Sequence, residues 1–174
     1  MSEVKRFLGF SAMEWSIILL GGGGMVAMWL SFPATWWKIF SAGAGLSFLF
    51  EASMAPLFTY DRQLRERHCI QNTDVNFLFP LGWMSMAGWS AFLAEKVLPF
   101  PLFVNYLLGS LLIGNLQEFL FHHFKFWVYN YDASMIGTFK PLQPKLPIGG
   151  IPLQVIAGYV NVGIMVYFLT RILF

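Results

Sequence analysis

The feature that most constrains this chain is a run from Trp15 to Trp37 without a single charged residue. Crossing about 30 Å of hydrocarbon takes roughly 20 residues of helix, so the run predicts a helix that spans a membrane. No small-residue cleavage pattern follows a short apolar core, as a secretory signal peptide would require. We therefore expect this segment to remain in the mature protein as a signal anchor.

The rest of the chain has the same character. Charged residues make up 11% of the sequence and hydrophobic residues 57%, whereas a soluble domain carries about 25% charged residues. The charges are too few to cover the surface of a globule in water. Because the net charge is only +2 and no basic face or nucleic-acid motif is present, we exclude a nucleic-acid partner.

Five apolar windows are long enough to cross a bilayer. They cover about residues 13–30, 36–58, 77–97, 101–124 and 151–174. No internal repeat and no long linker divides them. The sequence therefore predicts an all-α fold, a polytopic membrane helix bundle with about five transmembrane helices in one domain over residues 1–174.

Lysine and arginine placement predicts the orientation of this bundle. With five spans, the N-terminal tail and the loops 59–76 and 125–150 share one side of the membrane. Eight of the eleven basic residues lie there, namely Lys5, Arg6, Arg62, Arg65, Arg67, Lys125, Lys140 and Lys145, and three lie opposite, namely Lys38, Lys96 and Arg171. Basic loops face the cytoplasm, so we expect a cytoplasmic N-terminus and a C-terminus on the opposite side.

Two carboxylates fall inside the predicted spans. Glu51 lies in the second window and Glu118 in the fourth, and both helices descend toward the cytoplasm, which places each residue roughly 10 Å inside the boundary. Gly43, Ser47 and Glu51 share a helix face by their four-residue spacing. An ionisable group in a span is costly unless it is paired or hydrated, so both are functional candidates.

Other polar residues are predicted at the same depth in the bundle as Glu51 and Glu118. Asn115, Glu118 and His122 share one face of the fourth helix because they are spaced i, i+3, i+7. Gln154 enters the fifth helix at nearly the same depth. The spacing makes possible a single polar cluster, comprising Glu51, Asn115, Glu118, His122 and Gln154.

Such a cluster suits acid–base chemistry. Loss of water disfavours the charged form of a carboxyl group, and a neutral carboxylic acid can protonate an alkene or a leaving group. We assign Glu118 as the proton donor, Glu51 as the base or cation stabiliser, and His122 as the group that orients Glu118. The alternative is a structural role, in which Glu118 and His122 pair and lock the packing of helices.

A metal site is the less favoured interpretation of the histidines. His122 and His123 are adjacent and point about 100° apart on a helix, so they are poorly placed to bind one ion even with His68 and Glu118 nearby. No H-E-x-x-H or similar motif is present. We assign no metal and no cofactor.

Glycine also clusters in the first window. The run from Gly21 to Gly24 lies where a helix is expected, although glycine weakens helices. It predicts either close packing against another helix or contact with a flat bound ligand.

The C-terminal half resembles the integral-membrane carotenoid hydratase and lycopene cyclase-like families. The resemblance rests on a carboxylate in one span, Glu118, then the aromatic stretch from Phe126 to Tyr131, then the Gly150-Ile-Pro152 entry into the next span. It implies that a carboxyl group protonates a polyene to a carbocation, which water or an internal alkene captures. The resemblance also implies Tyr131 as a substrate-binding residue. The polar cluster adds Asn115 and Gln154 as two further candidates for substrate binding.

These inferences lead to one functional expectation and one alternative. The expectation is a membrane-embedded enzyme that modifies an apolar isoprenoid- or lipid-like molecule by acid–base chemistry, with membrane lipids and that molecule as its partners. The alternative is a non-catalytic small subunit of a larger respiratory or photosynthetic membrane complex, whose partners would include other membrane subunits.

Overall fold

Within the part of the chain that the structure describes, the fold is a bundle of five α-helices. The computed structural model describes residues 6–54, 57–60, 79–130 and 149–173, of which 78% are helical. The helices are α1 Ala12–Ser31, α2 Trp36–Met54, α3 Phe79–Phe92, α4 Leu102–His123 and α5 Leu153–Leu173. The prediction of an all-α protein is confirmed.

A short hairpin and a capping box start α1. Strands β1 (Arg6–Phe7) and β2 (Phe10–Ser11) pair antiparallel, and the two residues between them, Leu8 and Gly9, have positive φ angles of 51° and 83°, as a type I′ turn requires. Ser11 then caps the helix, with its Oγ accepting from the backbone N–H of Glu14 at 3.3 Å, while the Glu14 carboxylate accepts from the backbone N–H of Ser11 at 2.7 Å. Together these bonds satisfy helix-end donors.

Among the described helices, each one runs antiparallel to the next. α2 and α3 are antiparallel because Phe40 lies against Gly88 while Gly43 lies against Met84. α1 and α3 run parallel, since Ser85 Oγ donates to the carbonyl of Leu20 at 2.8 Å and Gly88 lies against Met28.

The same alternation continues through α4 and α5. In α4, Gly109 contacts Ser90 and Gln117 reaches Ser85 at 3.5 Å, so α4 runs opposite to α3. α5 in turn runs opposite to α4, because Tyr159, near the start of α5, packs on Gly114 just past the middle of α4, while Gly163, further along α5, packs on Tyr106 near the start of α4.

The glycine run of α1 serves close packing at two of its four positions. A Cβ atom at Gly21 would lie 2.5 Å from Cγ of Leu81, and one at Gly24 would lie 3.3 Å from Cα of Ser85. The expectation of a packing surface therefore holds for these two residues. At Gly22 a Cβ would meet no atom of the described residues within 4 Å, because a helix turns 100° per residue and carries Gly22 away from α3. Packing against another helix of this chain is therefore not found there, and contact with a ligand stays a prediction.

One end of the bundle is closed by a polar turn between α3 and α4. α3 continues into a π-helical turn, Leu93–Val97, and the buried side chain of Asn105 then ties the connection together. Its Nδ2 donates to the carbonyls of Ala94 and Leu98 at 3.0 and 2.8 Å, and its Oδ1 accepts from the N–H of Phe100 at 3.1 Å.

An ion pair joins α5 to this same end. Glu95 forms a salt bridge with Arg171 and accepts a hydrogen bond from the hydroxyl of Tyr106 at 2.9 Å. The last turn of α5 is thereby connected to the start of α4 through the π-helical turn.

A two-stranded ribbon lies at the opposite end. α2 stops at Met54 rather than continuing to 58, because Phe58–Tyr60 forms strand β3, which pairs antiparallel with strand β4, Trp127–Tyr129. The backbone N–H of Asn130 also donates to the carbonyl of Leu57 at 2.8 Å. The chain segments that follow α2 and α4 therefore begin at the same end of the bundle.

Among the described residues, two helices are both long and apolar enough to cross a bilayer. These are α1, over Glu14–Ser31 with a mean hydropathy of 1.2, and α5, over Leu153–Ile172 with a mean hydropathy of 1.6. That all five helices cross a membrane stays a prediction.

The packing of α2 on α3 can be tested with two glycines on α2. A Cβ at Gly43 would lie 3.0 Å from Cα of Met84, a backbone atom that cannot move aside alone, whereas a Cβ at Gly45 would meet nothing within 4 Å. We expect Gly43→Ala to lower the free energy of unfolding by about 1–3 kcal/mol, the usual cost of overpacking. Gly45→Ala should leave it unchanged or raise it. Thermal unfolding of both variants in detergent measures this, and equal effects would contradict the packing.

Candidate functional site

Glu118 of α4 is buried, with 4% of its surface exposed, and is surrounded by hydrogen-bond donors. Trp127 Nε1 donates to its Oε1 at 3.0 Å, the hydroxyl of Tyr129 donates to the same oxygen, and the hydroxyl of Tyr159 donates to Oε2 at 2.5 Å. An ionised carboxylate only accepts hydrogen bonds. Three donors therefore suit a charged Glu118 and offset the cost of its burial.

Strand β4 supplies two of these donors through its two-residue period. Alternate side chains of a strand point to opposite faces, so Trp127 and Tyr129 are buried toward α4 while Val128 is 50% exposed. Pairing with β3 fixes the strand, since Tyr60 is opposite Trp127 and Phe58 is opposite Tyr129.

A Schellman turn directs the chain from α4 into β4. The N–H of Phe126 donates to the carbonyl of Phe121 at 2.8 Å, and the N–H of Lys125 donates to the carbonyl of His122 at 3.0 Å, as this motif requires. Lys125 has φ 58° and occupies the left-handed position where glycine is usual. The turn folds the strand back so that its buried side chains reach Glu118.

The third donor depends on a missing side chain. A Cβ atom at Gly114 would lie 2.1–2.5 Å from ring atoms of Tyr159, so the phenol ring of Tyr159 occupies the space above Gly114. Gly114 precedes Glu118 by four residues and lies on the same helix face. The ring of Tyr159 can therefore lie flat on α4 and place its hydroxyl on the carboxylate.

Further aromatic rings pack against the side chains that donate to this carboxylate. Phe121 stacks on Phe126 with ring centroids 5.0 Å apart and meets Trp127 edge-on at 5.4 Å. The ring of His122 lies 5.2 Å from that of Tyr129. The site thus combines one buried carboxylate with several π faces, and these can stabilise a cation electrostatically.

His122 joins the site through Tyr129 rather than through a hydrogen bond to Glu118. In the described part of the chain its Nδ1 atom is buried and has no hydrogen-bond partner. Its Nε2 atom faces Gly150, where a Cβ would lie 3.0 Å away. Gly150 also has φ +71°. Glycine is therefore favoured in this turn before α5 for two reasons, namely the positive φ angle and the close approach of the His122 ring.

The two predicted amides occupy different surroundings. Asn115 lies one turn before Glu118, where its Nδ2 donates to the carbonyl of Leu111 on its own helix at 2.8 Å, and its buried Oδ1 has no partner among the described residues. Gln154 is half-buried in the first turn of α5. Asn115 and Glu118 are therefore one helical turn apart on α4, and Gln154 is on the neighbouring helix α5.

Two further predicted residues cannot be placed in the site. The backbone of Glu51 belongs to the last turn of α2, at the end of the bundle where β3 and β4 pair, but its side chain lies outside the described residues. Tyr131 also lies outside them, as do His68 and Cys69. The proposed pairing of Glu51 with Glu118 stays a prediction.

Sequence reasoning missed the partners of Glu118, namely Trp127, Tyr129 and Tyr159. From the sequence, the aromatic stretch after α4 was interpreted only as part of the family resemblance, with Tyr131 as its site residue. A two-residue alternation in Trp127-Val128-Tyr129 directly after a helix end was the available signal for a short buried strand. For Tyr159 the signal was weaker, because a glycine on one helix does not identify the ring that covers it.

No group of three or more histidine, cysteine, aspartate or glutamate side chains that could hold a metal ion occurs within the described residues. The described donors to Glu118 include an indole N–H and two phenol hydroxyls, which donate hydrogen bonds to the carboxylate.

Comparison of the chain with protein-family models, with curated proteins and with solved structures gives no match. The resemblance to carotenoid hydratases and lycopene cyclases therefore stays a prediction.

The dependence of the site on Gly114 can be measured by a double-mutant cycle. We expect Gly114→Ala to lower the free energy of unfolding by about 3 kcal/mol, because the added methyl group must displace the ring of Tyr159. In a Tyr159→Leu background the same substitution should cost at least about 1 kcal/mol less, since the flat ring is absent. Chemical unfolding of the four proteins gives the coupling energy.

Leu112→Ala is the control for this cycle, because Leu112 is on α4 but 55% exposed. Its effect should be the same in both backgrounds. An equal cost for Gly114→Ala with and without Tyr159 would show that the ring does not occupy the space above Gly114.

Proposed function

We propose that this chain is an integral membrane enzyme that acts on an apolar isoprenoid- or lipid-like molecule by acid–base chemistry at Glu118. The observation that carries the proposal is the buried carboxylate of Glu118 with its donors from β4 and α5, enclosed by aromatic rings. A purely apolar bundle needs no such group, and ionisable residues within membrane spans mark functional sites by default.

The outward surface of the bundle supports membrane placement. Only 28% and 33% of the residues in the apolar windows of α1 and α5 are buried, whereas the core helix of a soluble protein hides most of its apolar surface. Large apolar side chains cover the outside of α1 and α4, among them Leu19, Val26, Trp29, Leu30, Leu112, Leu116 and Phe119. Hydrocarbon is the solvent that such a surface fits.

The alternating helix directions support five crossings with a cytoplasmic N-terminus. The ribbon of β3 and β4 brings the starts of the two basic segments to one end of the bundle, and Glu95, Lys96 and Arg171 lie at the other. This arrangement agrees with the eight-to-three distribution of basic residues across a membrane.

The chemistry follows from the donors around Glu118. In the proposed reaction Glu118, which rests as the carboxylate that its donors stabilise, first takes a proton from the solvent. It then transfers this proton to an alkene carbon, which leaves a carbocation on the substrate and returns Glu118 to the carboxylate. Trp127, Tyr129 and Tyr159 then stabilise that carboxylate, because each donates a hydrogen bond to it. The adjacent π faces stabilise the cation until water, an internal alkene or loss of a proton to a base ends the reaction.

A structural role is the second candidate, and the same hydrogen bonds favour it. They connect α4, β4 and α5, so Glu118 also serves as a clamp at one end of the bundle. In that case the chain is a non-catalytic subunit of a larger membrane complex. The two candidates differ in whether removing the acid abolishes a reaction or only lowers stability.

Solvent deuterium tests the catalytic role of Glu118. Membranes that contain the protein are incubated in D2O with a linear carotenoid polyene and with their own extracted lipids, and products are analysed by mass spectrometry. Proton transfer to an alkene should leave deuterium on carbon. We expect Glu118→Gln to reduce this incorporation at least about a hundredfold, because an amide cannot replace a general acid.

Two controls separate catalysis from folding. Tyr159→Phe keeps the ring and removes one hydrogen bond, so incorporation should fall about tenfold while the ring packing on Gly114 persists. His123→Gln changes an exposed residue outside the site and should have no effect. Full incorporation by Glu118→Gln, or none by the wild type with any substrate, would favour the structural role.

Cysteine labelling tests the topology. In a Cys69→Ser background, Asn130→Cys at the ribbon end should react with a membrane-impermeant maleimide only from the cytoplasmic side. Phe100→Cys, exposed at the other end, should react only from the opposite side. The reverse pattern would overturn the orientation, and labelling of both positions from one side would overturn the five crossings.

A further inference from the structure

The proposed reaction leaves Glu118 as a carboxylate, so a proton has to return to it before each new turnover. Because 4% of the surface of Glu118 is exposed, water has little direct access to the carboxyl group. The proton therefore arrives through groups that contact the carboxylate. Among the described side chains these include Trp127, Tyr129 and Tyr159.

The chemistry of these three donors separates them. A group that relays a proton has to give up one proton and accept another. An indole N–H can donate but cannot accept, whereas a phenol hydroxyl does both. Trp127 can therefore stabilise the carboxylate but cannot relay a proton to it, whereas Tyr129 and Tyr159 can do both.

The positions of the two tyrosines favour Tyr129 as the relay. The ring of Tyr159 lies on Gly114 between α4 and α5, one helical turn further into the bundle than Glu118. Tyr129 belongs instead to the ribbon at the end of the bundle, and the next residue in the chain, Asn130, is exposed. Tyr129 thus connects the carboxylate to the end of the bundle that meets water.

A histidine lies beside Tyr129. The centroid of the His122 ring is 5.2 Å from that of the Tyr129 ring, and His122 is half-buried. Its Nδ1 atom is enclosed and has no hydrogen-bond partner among the described residues, while its Nε2 atom faces the exposed turn at Gly150. One ring nitrogen is thus inside the protein and the other is at its surface, which is a suitable placement for a proton shuttle.

We propose that Glu118 regains its proton from the ribbon end of the bundle, first through the imidazole of His122 and then through the hydroxyl of Tyr129. The phenol gives its own proton to Oε1 of Glu118, while its oxygen takes the proton that the imidazolium releases. A hydronium ion then protonates His122 again. The sum of these steps moves one proton from hydronium to the carboxylate and breaks no other bond.

This path rests on the proposed function, because Glu118 needs a supply of protons if it gives one away in each turnover. Proton uptake by Glu118 can nevertheless be measured without a substrate. Failure of the path and failure of the proposed reaction are therefore separable by experiment.

Time-resolved infrared spectroscopy measures proton uptake by Glu118. The protein in phosphatidylcholine vesicles is exposed to a rapid drop in pH from a light-activated acid, and the C=O stretch of the protonated carboxyl group is followed. Absence of this band in Glu118→Gln assigns it to Glu118. We expect Tyr129→Phe and His122→Gln each to slow its appearance at least about tenfold, because each removes a group that passes the proton.

Two controls separate the relay from a general change in the site. Tyr159→Phe also removes one hydrogen bond from the carboxylate but leaves the path in place, so it should slow proton uptake by less than about threefold. His123→Gln changes an exposed histidine next to His122 and should leave proton uptake at the wild-type rate.

Chemical rescue tests the shuttle at His122. Imidazole added to the medium is a diffusible proton donor, so it should raise the rate of proton uptake by His122→Gln at least about threefold. A purely structural role of His122 would give no such response. This measurement also tests the path if Tyr129→Phe fails to fold, because His122→Gln changes a half-buried residue.

Several results would overturn the path. These are wild-type rates in Tyr129→Phe or in His122→Gln, equal slowing by Tyr159→Phe and Tyr129→Phe, and a slow His122→Gln that imidazole leaves slow. A wild-type protein that takes up protons in the expected way but places no deuterium on the carbon of a polyene or lipid would support the path and overturn the proposed reaction.

Discussion

The burial of one carboxylate determines how this end of the bundle is built. Glu118 sits on the inner face of α4, and an unpaired carboxylate there would be strongly destabilising. Its hydrogen bonds require a short strand with alternating buried side chains, a left-handed turn at Lys125 that returns this strand to α4, and a glycine at position 114 that lets the ring of Tyr159 approach. Each of these local features therefore has the same physical cause, which is the need to provide hydrogen bonds for the buried carboxylate of Glu118.

Much of the fold follows from apolar periodicity and length. All five helices occur where the sequence has apolar windows, since such windows have few other ways to satisfy their backbone groups away from water. The end of α2 could not be predicted from hydropathy, because Phe58 continues the apolar run while its backbone pairs with Tyr129 in the ribbon. The sequence could predict that glycines of α1 allow close helix packing. It could not predict that Gly21 and Gly24 are the ones that do so, because this depends on the rotation of α1 about its axis relative to α3.

For the site, the sequence predicted the central residue and not its partners. Scarcity of charge within apolar windows identifies Glu118, and helical spacing adds Asn115 and His122. The hydroxyl of Tyr159 comes from 41 residues later in the chain, and no local pattern encodes such a distance. Glu51, like Glu118, is a rare charged residue within a long apolar window. Its role depends on the position of its side chain, which lies outside the described residues.

The order of the hydrogen-bond donors along the chain bears on how the protein enters a membrane. Trp127 and Tyr129 follow Glu118 by 9 and 11 residues, and the partner strand β3 is synthesised earlier still. In the proposed membrane placement, α4 can therefore enter the bilayer with two hydrogen-bond donors for its carboxylate supplied by the strand that follows it. The third donor, the hydroxyl of Tyr159, belongs to α5, which is synthesised after α4 and β4. α5 therefore adds its hydrogen bond to the other carboxylate oxygen only once it has packed on α4.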